Sequence, residues 1–163
     1  MGVKGVFLLS EALDGRSGHE VGRKLLARLY REATGEDLPP ITTTKNGKPY
    51  FPDSLWHFSI SHTTHFAFCA LSRHNIGLDA EEKGRAVSPA MVEKFTSASE
   101  KSRLGDAPQD AFLRLWVQKE ALAKLTGKGM GTWLKNTDFD PFDRRIQEIN
   151  GCYVAVLEDN DAV

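Results

Sequence analysis

Two short polar constellations, about forty residues apart, carry the side chains of this 163-residue chain best suited to chemistry. Ile76-Gly77-Leu78-Asp79-Ala80-Glu81 alternates in the period of a half-buried strand, so Asp79 and Glu81 project from one face. Trp116-Val117-Gln118-Lys119-Glu120-Ala121-Leu122-Ala123-Lys124 belongs to a long apolar run that predicts a helix, with Glu120 and Lys124 one turn apart on one side. Packed beside the end of the strand, such a helix would bring together three carboxylates and two ammonium groups. That is a site for a hard divalent cation and a phosphorylated ligand.

Each group also has a plainer reading. Asp79 and Glu81 suit the solvated face of an edge strand. Glu120 and Lys124, acid first, suit an exposed intrahelical ion pair worth about 0.3–0.5 kcal/mol. The second reading fits poorly with Phe112, Leu113, Leu115 and Trp116 around Glu120, since an unpartnered carboxylate in an apolar helix costs several kcal/mol. Lys48, Lys119, Lys124 and Lys128 are either solvent-facing or clamps on a polyphosphate. Ser61-His62, at a strand-to-turn junction, either binds phosphate or caps the turn, and no nucleophile-elbow glycines surround it. Zinc is disfavoured, because His62 and His65 have no Cys or third His nearby. Three carboxylates suit Mg²⁺.

Around these residues the chain reads as mixed α and β. A strand is expected over Val3 to Leu9 and an amphipathic helix from Val21 to Thr34, stopped by Gly35. Thr42 to Thr44 is extended, Asn46-Gly47 turns the chain, and Lys48 to Pro52 is expected to be irregular. Two strands fit Trp56 to Leu71, joined at Ser61 to His65, and the strand of Asp79 follows. Short helices are expected over Pro89 to Phe95, with Ser88 as cap, and from Ser97, whose spacing to Glu100 is that of a capping box. After a loop at Asp106 to Gln109, the long helix runs from Asp110 to Thr126, and Gly127-Lys128-Gly129 reads as its C-cap. Ile146 to Ile149 and Cys152 to Leu157 form a hairpin about Asn150-Gly151, and Glu158 to Val163 is expected to fray. A composition shift near Asn75 divides the chain into halves, 1–74 and 75–163.

Composition narrows the classes of function. A net charge of −1 argues against a general binder of nucleic acid or of anionic membranes. Nine Phe, three Trp and three Tyr support a packed core. Cys69 and Cys152 lack the number for a disulfide framework and the spacing for a metal site, so a reducing cytoplasm is the expected compartment. Neither a leader nor a membrane span is expected, and the working unit is expected to be a monomer.

Five motifs in order resemble the phosphopantetheinyl transferases of the surfactin-synthetase-activating type: Gly47-Lys48-Pro49, Phe58-Ser59-Ile60-Ser61-His62, the IGLDAE segment, Phe95-Thr96-Ser97-Ala98-Ser99-Glu100 and the WVQKEALAK segment. The resemblance covers about Arg16 to Met130 and implies an α+β fold of two pseudo-symmetric but unequal halves. It implies transfer of the 4′-phosphopantetheine arm of coenzyme A to a serine of an apo acyl or peptidyl carrier protein, with release of 3′,5′-ADP. On that likeness Asp79, Glu81 and Glu120 would hold Mg²⁺, and Glu120 would also act as base. Lys124 would neutralise the pyrophosphate, with Lys119 beside it. Lys48, Ser61 and His62 would lie on the nucleotide and its phosphates, and Arg16 and Ser17 on the adenine side. Carrier recognition is expected along Val87 to Leu104, where Met91, Val92 and Phe95 are apolar; the plainer reading, which suits Phe95 best, is ordinary core. The chain departs from the family pattern at Val117, where a small polar residue is usual. Ahead of Arg16 it lacks a basic pair for the 3′-phosphate, and both ends are short, which implies either weaker coenzyme A binding or a grip supplied by other residues. The alternative is a non-catalytic binder of coenzyme A or carrier protein that keeps the fold.

Overall fold

The computed structural model describes residues 5–159; Met1 to Lys4, which include the start of the strand expected from Val3, and Asn160 to Val163, in the expected frayed tail, lie outside them. In chain order the elements are β1 (Val6–Ala12), α1 (Gly18–Thr34), β2 (Thr42–Thr43), β3 (Pro49–Tyr50), β4 (His57–His62), β5 (Phe66–Ser72), β6 (Ile76–Glu82), α2 (Pro89–Phe95), α3 (Ala98–Ser102), α4 (Pro108–Thr126), a 3-10 turn (Thr132–Asn136), β7 (Gln147–Ile149) and β8 (Cys152–Glu158). The chain is thus of the α+β class, with antiparallel pairing throughout.

Strand alternation builds four layers. In the first sheet, ordered β1-β5-β4, Ala67, Cys69, Leu71 and Phe58 face Val21, Leu25, Leu26 and Leu29 of α1. The opposite face, Val6, Phe68 and Ala70, packs on Ile76, Leu78, Ala80, Cys152 and Val154 of the second sheet, ordered β6-β8-β7. The outer face of that second sheet, Tyr153, Ala155 and Leu157, meets Phe112, Leu113, Trp116, Val117 and Ala121 of α4. Because side chains on a strand alternate, the register that sends Ile76, Leu78 and Ala80 inward sends Gly77, Asp79 and Glu81 to the α4 side.

Local chemistry accounts for the element ends. Ser17 caps α1, Ser88 caps α2, and Ser97 with Glu100 closes a capping box at α3. Several boundaries differ from the sequence expectation: α1 opens at Gly18 rather than Val21, behind its Ser17 cap, and β7 at Gln147 rather than Ile146. β1 runs on to Ala12, because its pairing with β5 carries through the polar Ser10 and Glu11. Pro49–Tyr50, expected to be irregular, pairs with Thr42–Thr43 across the turn that Gly47 closes at φ 87°. α4 starts at Pro108, whose missing N–H costs nothing in a first helical turn. Glu158 remains in β8, opposite Ile76.

Candidate active site

β6 is an edge strand of its sheet, and its outward N–H groups are taken up by hydroxyls of β4, the neighbouring edge of the other sheet. Leu78 N–H donates to Ser59 Oγ at 2.9 Å and Ala80 N–H to Ser61 Oγ at 3.3 Å. Ser61 in turn donates to Asp79 Oδ1 at 3.0 Å. Two serines at strand spacing thereby stitch the sheets together and fix one oxygen of Asp79. On the other flank Gly77 allows α4 to lie directly on β6: a Cβ there would fall 2.0 Å from Ala121 O and 2.5 Å from Leu125 N. Neither Gly77 nor Ser59 stood out in the sequence as a site residue, because a bare Cα and a seam hydroxyl gain meaning only once their neighbours are known.

This close approach gathers the carboxylates. One oxygen each from Asp79, Glu81 and Glu120 lies within 4.8 Å of the other two. Asp79 is 2% exposed and Glu81 7%, which rules out the solvated-edge reading. Lys124 reaches across to Asp79 Oδ1 at 2.9 Å, so the alternative of an isolated exposed pair along the helix also falls. Arg85 donates to Glu81 Oε2 at 2.6 Å. Among the described residues, none donates to the buried Asp79 Oδ2.

The electrostatics follow from this crowding. Glu120 is pushed from its ordinary 4.5 up to about 8, first by burial, then by the charge of Asp79, a hydrogen bond with it, and the charge of Glu81. Glu81 is raised by burial and then by Asp79, against the opposing effects of Arg85 and Lys124. A proton kept on Glu120 would supply the donor that Asp79 lacks. An oxygen-only set, buried at Asp79 and Glu81 and half-buried at Glu120, with one oxygen unpartnered, fits a hard divalent cation, which would replace that proton and take up the excess negative charge. The cluster opens into a cleft of about 890 Å³ lined by Ser61, His62, Thr63, Glu81, Arg85 and Lys124. A smaller cavity of about 290 Å³ adjoins it through Ile60, Glu120 and Lys124, and extends to Lys48, Phe58, Gly127 and Met130.

The remaining sequence candidates take different places. His62 lines the cleft, its ring laid so close to α1 that a Cβ on Gly18 would fall 2.3 Å from His62 Cγ. Lys119 does not join the cluster, and the expectation of two converging helix ammonium groups is corrected to one. It is fully buried on the far side of α4, paired with Glu100 at 2.8 Å and donating to Leu134 O and Thr137 Oγ1. The apolar packing around α4 leaves a lysine at that position no route to solvent, and a buried carboxylate meets it instead. Lys48 lines the smaller cavity with its stem, but its ammonium is held by Asn75 Oδ1 at 2.5 Å and Leu125 O at 2.8 Å, where it caps the C-terminal end of α4. Arg16 is folded onto Glu11 and the carbonyls of Ala12 and Leu13, and Ser17 Oγ accepts from the Glu20 N–H as the α1 cap. Phe95 belongs to the core, its ring centroid 4.8 Å from that of Trp116, while Met91 and Val92 are only partly buried.

The fold and this acidic seam define a class. The sequence model of the 4′-phosphopantetheinyl transferase superfamily matches residues 75–159, which hold the three carboxylates and Lys124, and the chain belongs to that superfamily. Its helices and antiparallel sheets are consistent with the family's fold. Among curated relatives, the chain is 37% identical over 136 residues to the 4′-phosphopantetheinyl transferase Sfp of Bacillus subtilis (strain 168), covering 80% of this chain and 57% of the relative. It is 35% identical over 149 residues to psf-1 of Bacillus pumilus, a 4′-phosphopantetheinyl transferase, covering 87% and 61%. With gsp of Aneurinibacillus migulanus, another 4′-phosphopantetheinyl transferase, identity is 35% over 88 residues, covering 52% and 36%. The chain thus spans less than two thirds of the length of these relatives. No helix among the described residues is long and apolar enough to cross a membrane.

Proposed function

We propose that the chain transfers the 4′-phosphopantetheine arm of coenzyme A to a serine of an apo carrier protein, dependent on Mg²⁺ and releasing 3′,5′-ADP. The convergence of Asp79, Glu81 and Glu120 at the mouth of a polar cleft, inside the segment that matches the family, carries this reading. A binder without catalysis has no need of a buried carboxylate set with an unpartnered oxygen.

Asp79, Glu81 and Glu120 would hold the cation; when bound, it neutralises the oxygens of the coenzyme A pyrophosphate and acts as a Lewis acid on the phosphorus centre. Ser61 keeps Asp79 in its rotamer. Glu120, in its carboxylate form, takes the proton of the carrier serine as its oxygen attacks the phosphorus that bears the pantetheine arm. Lys124, partly exposed at the cleft and anchored on Asp79, offsets the charge that develops on the departing 3′,5′-ADP. His62 and the stem of Lys48 contact the nucleotide. We assign 1–74 to the nucleotide side and 75–163 to the metal and carrier side, with Met91 and Val92 toward the carrier. We infer a cytoplasmic monomer.

The test is incubation of the protein with coenzyme A, Mg²⁺ and a panel of apo carrier proteins, followed by intact-mass measurement. At least one carrier is expected to gain the arm. Tight carrier binding with no mass gain would favour the non-catalytic reading, and coenzyme A cleavage without an acceptor would point to a hydrolase.

A further inference from the structure

Arg85 belongs to no motif described above, yet the fold delivers it to the metal-ligand set. β6 ends at Glu82, and the chain turns at once: Lys83 N–H donates to Gly151 O, Arg85 N–H to Glu82 O, and Gly84 takes a φ of 78° that favours glycine. The turn folds the guanidinium back over the strand end, where it meets Glu81 Oε2 at 2.6 Å. The Glu81 side chain is 10% exposed and that of Arg85 46%, so a buried carboxylate is paired with a cation that has an open path to solvent. Guanidinium cannot shed its proton, and its positive charge is permanent.

Three carboxylates so close cannot all be ionised in a buried site without compensation. Lys124 answers Asp79, and Arg85 answers Glu81. We propose that Arg85 is a resident counter-cation: it holds Glu81 while the site is without metal, and it competes with the divalent cation for that carboxylate, swinging toward solvent when the cation loads. This inference rests on the reading of Asp79, Glu81 and Glu120 as cation ligands. It makes Arg85 a positioning residue that sets metal affinity by opposing it. A residue that merely held the strand end together would act in the other direction, since its loss would loosen Glu81 and weaken binding.

Direct Mn²⁺ titration of the full chain, by calorimetry and by the electron paramagnetic resonance of free Mn²⁺, distinguishes the two. Arg85→Gln removes a unit charge next to a divalent ion, and its binding is expected to tighten by about tenfold at low salt, with a smaller gain at high salt. Arg85→Met serves as a second neutral variant should Arg85→Gln fold poorly, and Arg85→Lys, which keeps the charge, is expected within about threefold of wild type. Lys83→Gln makes the same charge change on an exposed side chain paired with Glu148, and is expected to shift affinity less than about twofold. In metal-free buffer the neutral Arg85 variants are expected to melt below wild type and to gain more from saturating Mn²⁺. Unchanged or weaker Mn²⁺ binding in both neutral variants, with wild type binding normally, overturns the role of Arg85 and leaves the metal site standing. Absence of Mn²⁺ binding in wild type overturns both.

Discussion

Gly77→Ala tests the geometry that gathers the site, because the added methyl group enters where β6 and α4 touch. Its nearest neighbours, Ala121 O at 2.0 Å and Leu125 N at 2.5 Å, are backbone atoms and cannot rotate away. Ordinary van der Waals contact begins at 3.4 Å, so helix and strand must separate by about 1.4 Å at that point. Overpacking of this kind costs typically 1–3 kcal/mol, and the backbone clash puts Gly77→Ala at the upper end, about 3 kcal/mol. For a chain of this length that is roughly a 6–12 °C loss in Tm. The same displacement pulls Glu120 and Lys124 away from Asp79 and Glu81. A misplacement of about 1 Å can cost about 10²-fold in rate, and Mn²⁺ affinity is expected to fall with it. Melting in metal-free buffer, Mn²⁺ titration and the carrier-loading rate form the assay. Gly22→Ala serves as comparison: its methyl group would meet Ile60 Cγ2 at 2.5 Å, a side-chain atom that can yield, and a smaller loss of about 1 kcal/mol with metal affinity retained is expected. Wild-type Mn²⁺ affinity and rate in Gly77→Ala would refute the claim that close approach of β6 and α4 builds the site.

Three further outcomes follow from the charged groups. Glu120→Gln is expected to stabilise the metal-free protein in a pH-dependent way. Its folded pKa of about 8 lies above the ordinary 4.5, so the folded state holds the extra proton between those values and wild-type stability declines as pH rises through that window. The advantage of Gln is therefore expected to be absent near pH 4.5 and to reach on the order of 3 kcal/mol by pH 8, read by urea unfolding with chelator, and a pH-independent difference would contradict the assignment. Lys119→Met or Glu100→Leu alone is expected to cost about 3–5 kcal/mol, because each strands a buried charge, whereas the double variant regains only the ion-pair part, since Ser97 N–H and Phe139 N–H still lack their Glu100 acceptor; additive losses in a double-mutant cycle would argue against a buried pair. Ser61→Ala removes both the donor to Asp79 and the acceptor for Ala80 N–H. A loss of about 2 kcal/mol together with weaker Mn²⁺ binding is expected, while Ser59→Ala lowers stability with little effect on the metal.

What could be read in the sequence was local, and what could not depended on contacts distant along the chain. The strand alternation that put Asp79 and Glu81 on one face, the Ser97 to Glu100 capping box and the Asn150-Gly151 turn are each contained in a few residues, and each occurs where expected. Partial burial of Glu120 beside them was inferable from the apolar run of α4. Lys119 was not readable in the same way: in sequence it adjoins Glu120, but one residue along a helix is a rotation of about 100°, which turned it into the core toward Glu100. Lys48 looked like a phosphate ligand, but its ammonium meets the end of α4, an element 77 residues further on. Arg85, Gly77 and Ser59 left no mark, since a tight turn, a close approach and a seam between sheets exist only between segments. Val117, where the chain departs from the family pattern, lies fully buried in the α4 core.

The central claim is that Asp79, Glu81 and Glu120 together hold a cation on which arm transfer depends. Carrier loading measured by intact mass across a Mg²⁺ titration, for wild type, Asp79→Asn and Glu120→Gln, tests it most directly. The expected result is saturable Mg²⁺ dependence in wild type, no loading with chelator present, and losses of at least about 10³-fold in both isosteric variants. Loading at an undiminished rate in chelator, or by both variants, would contradict it.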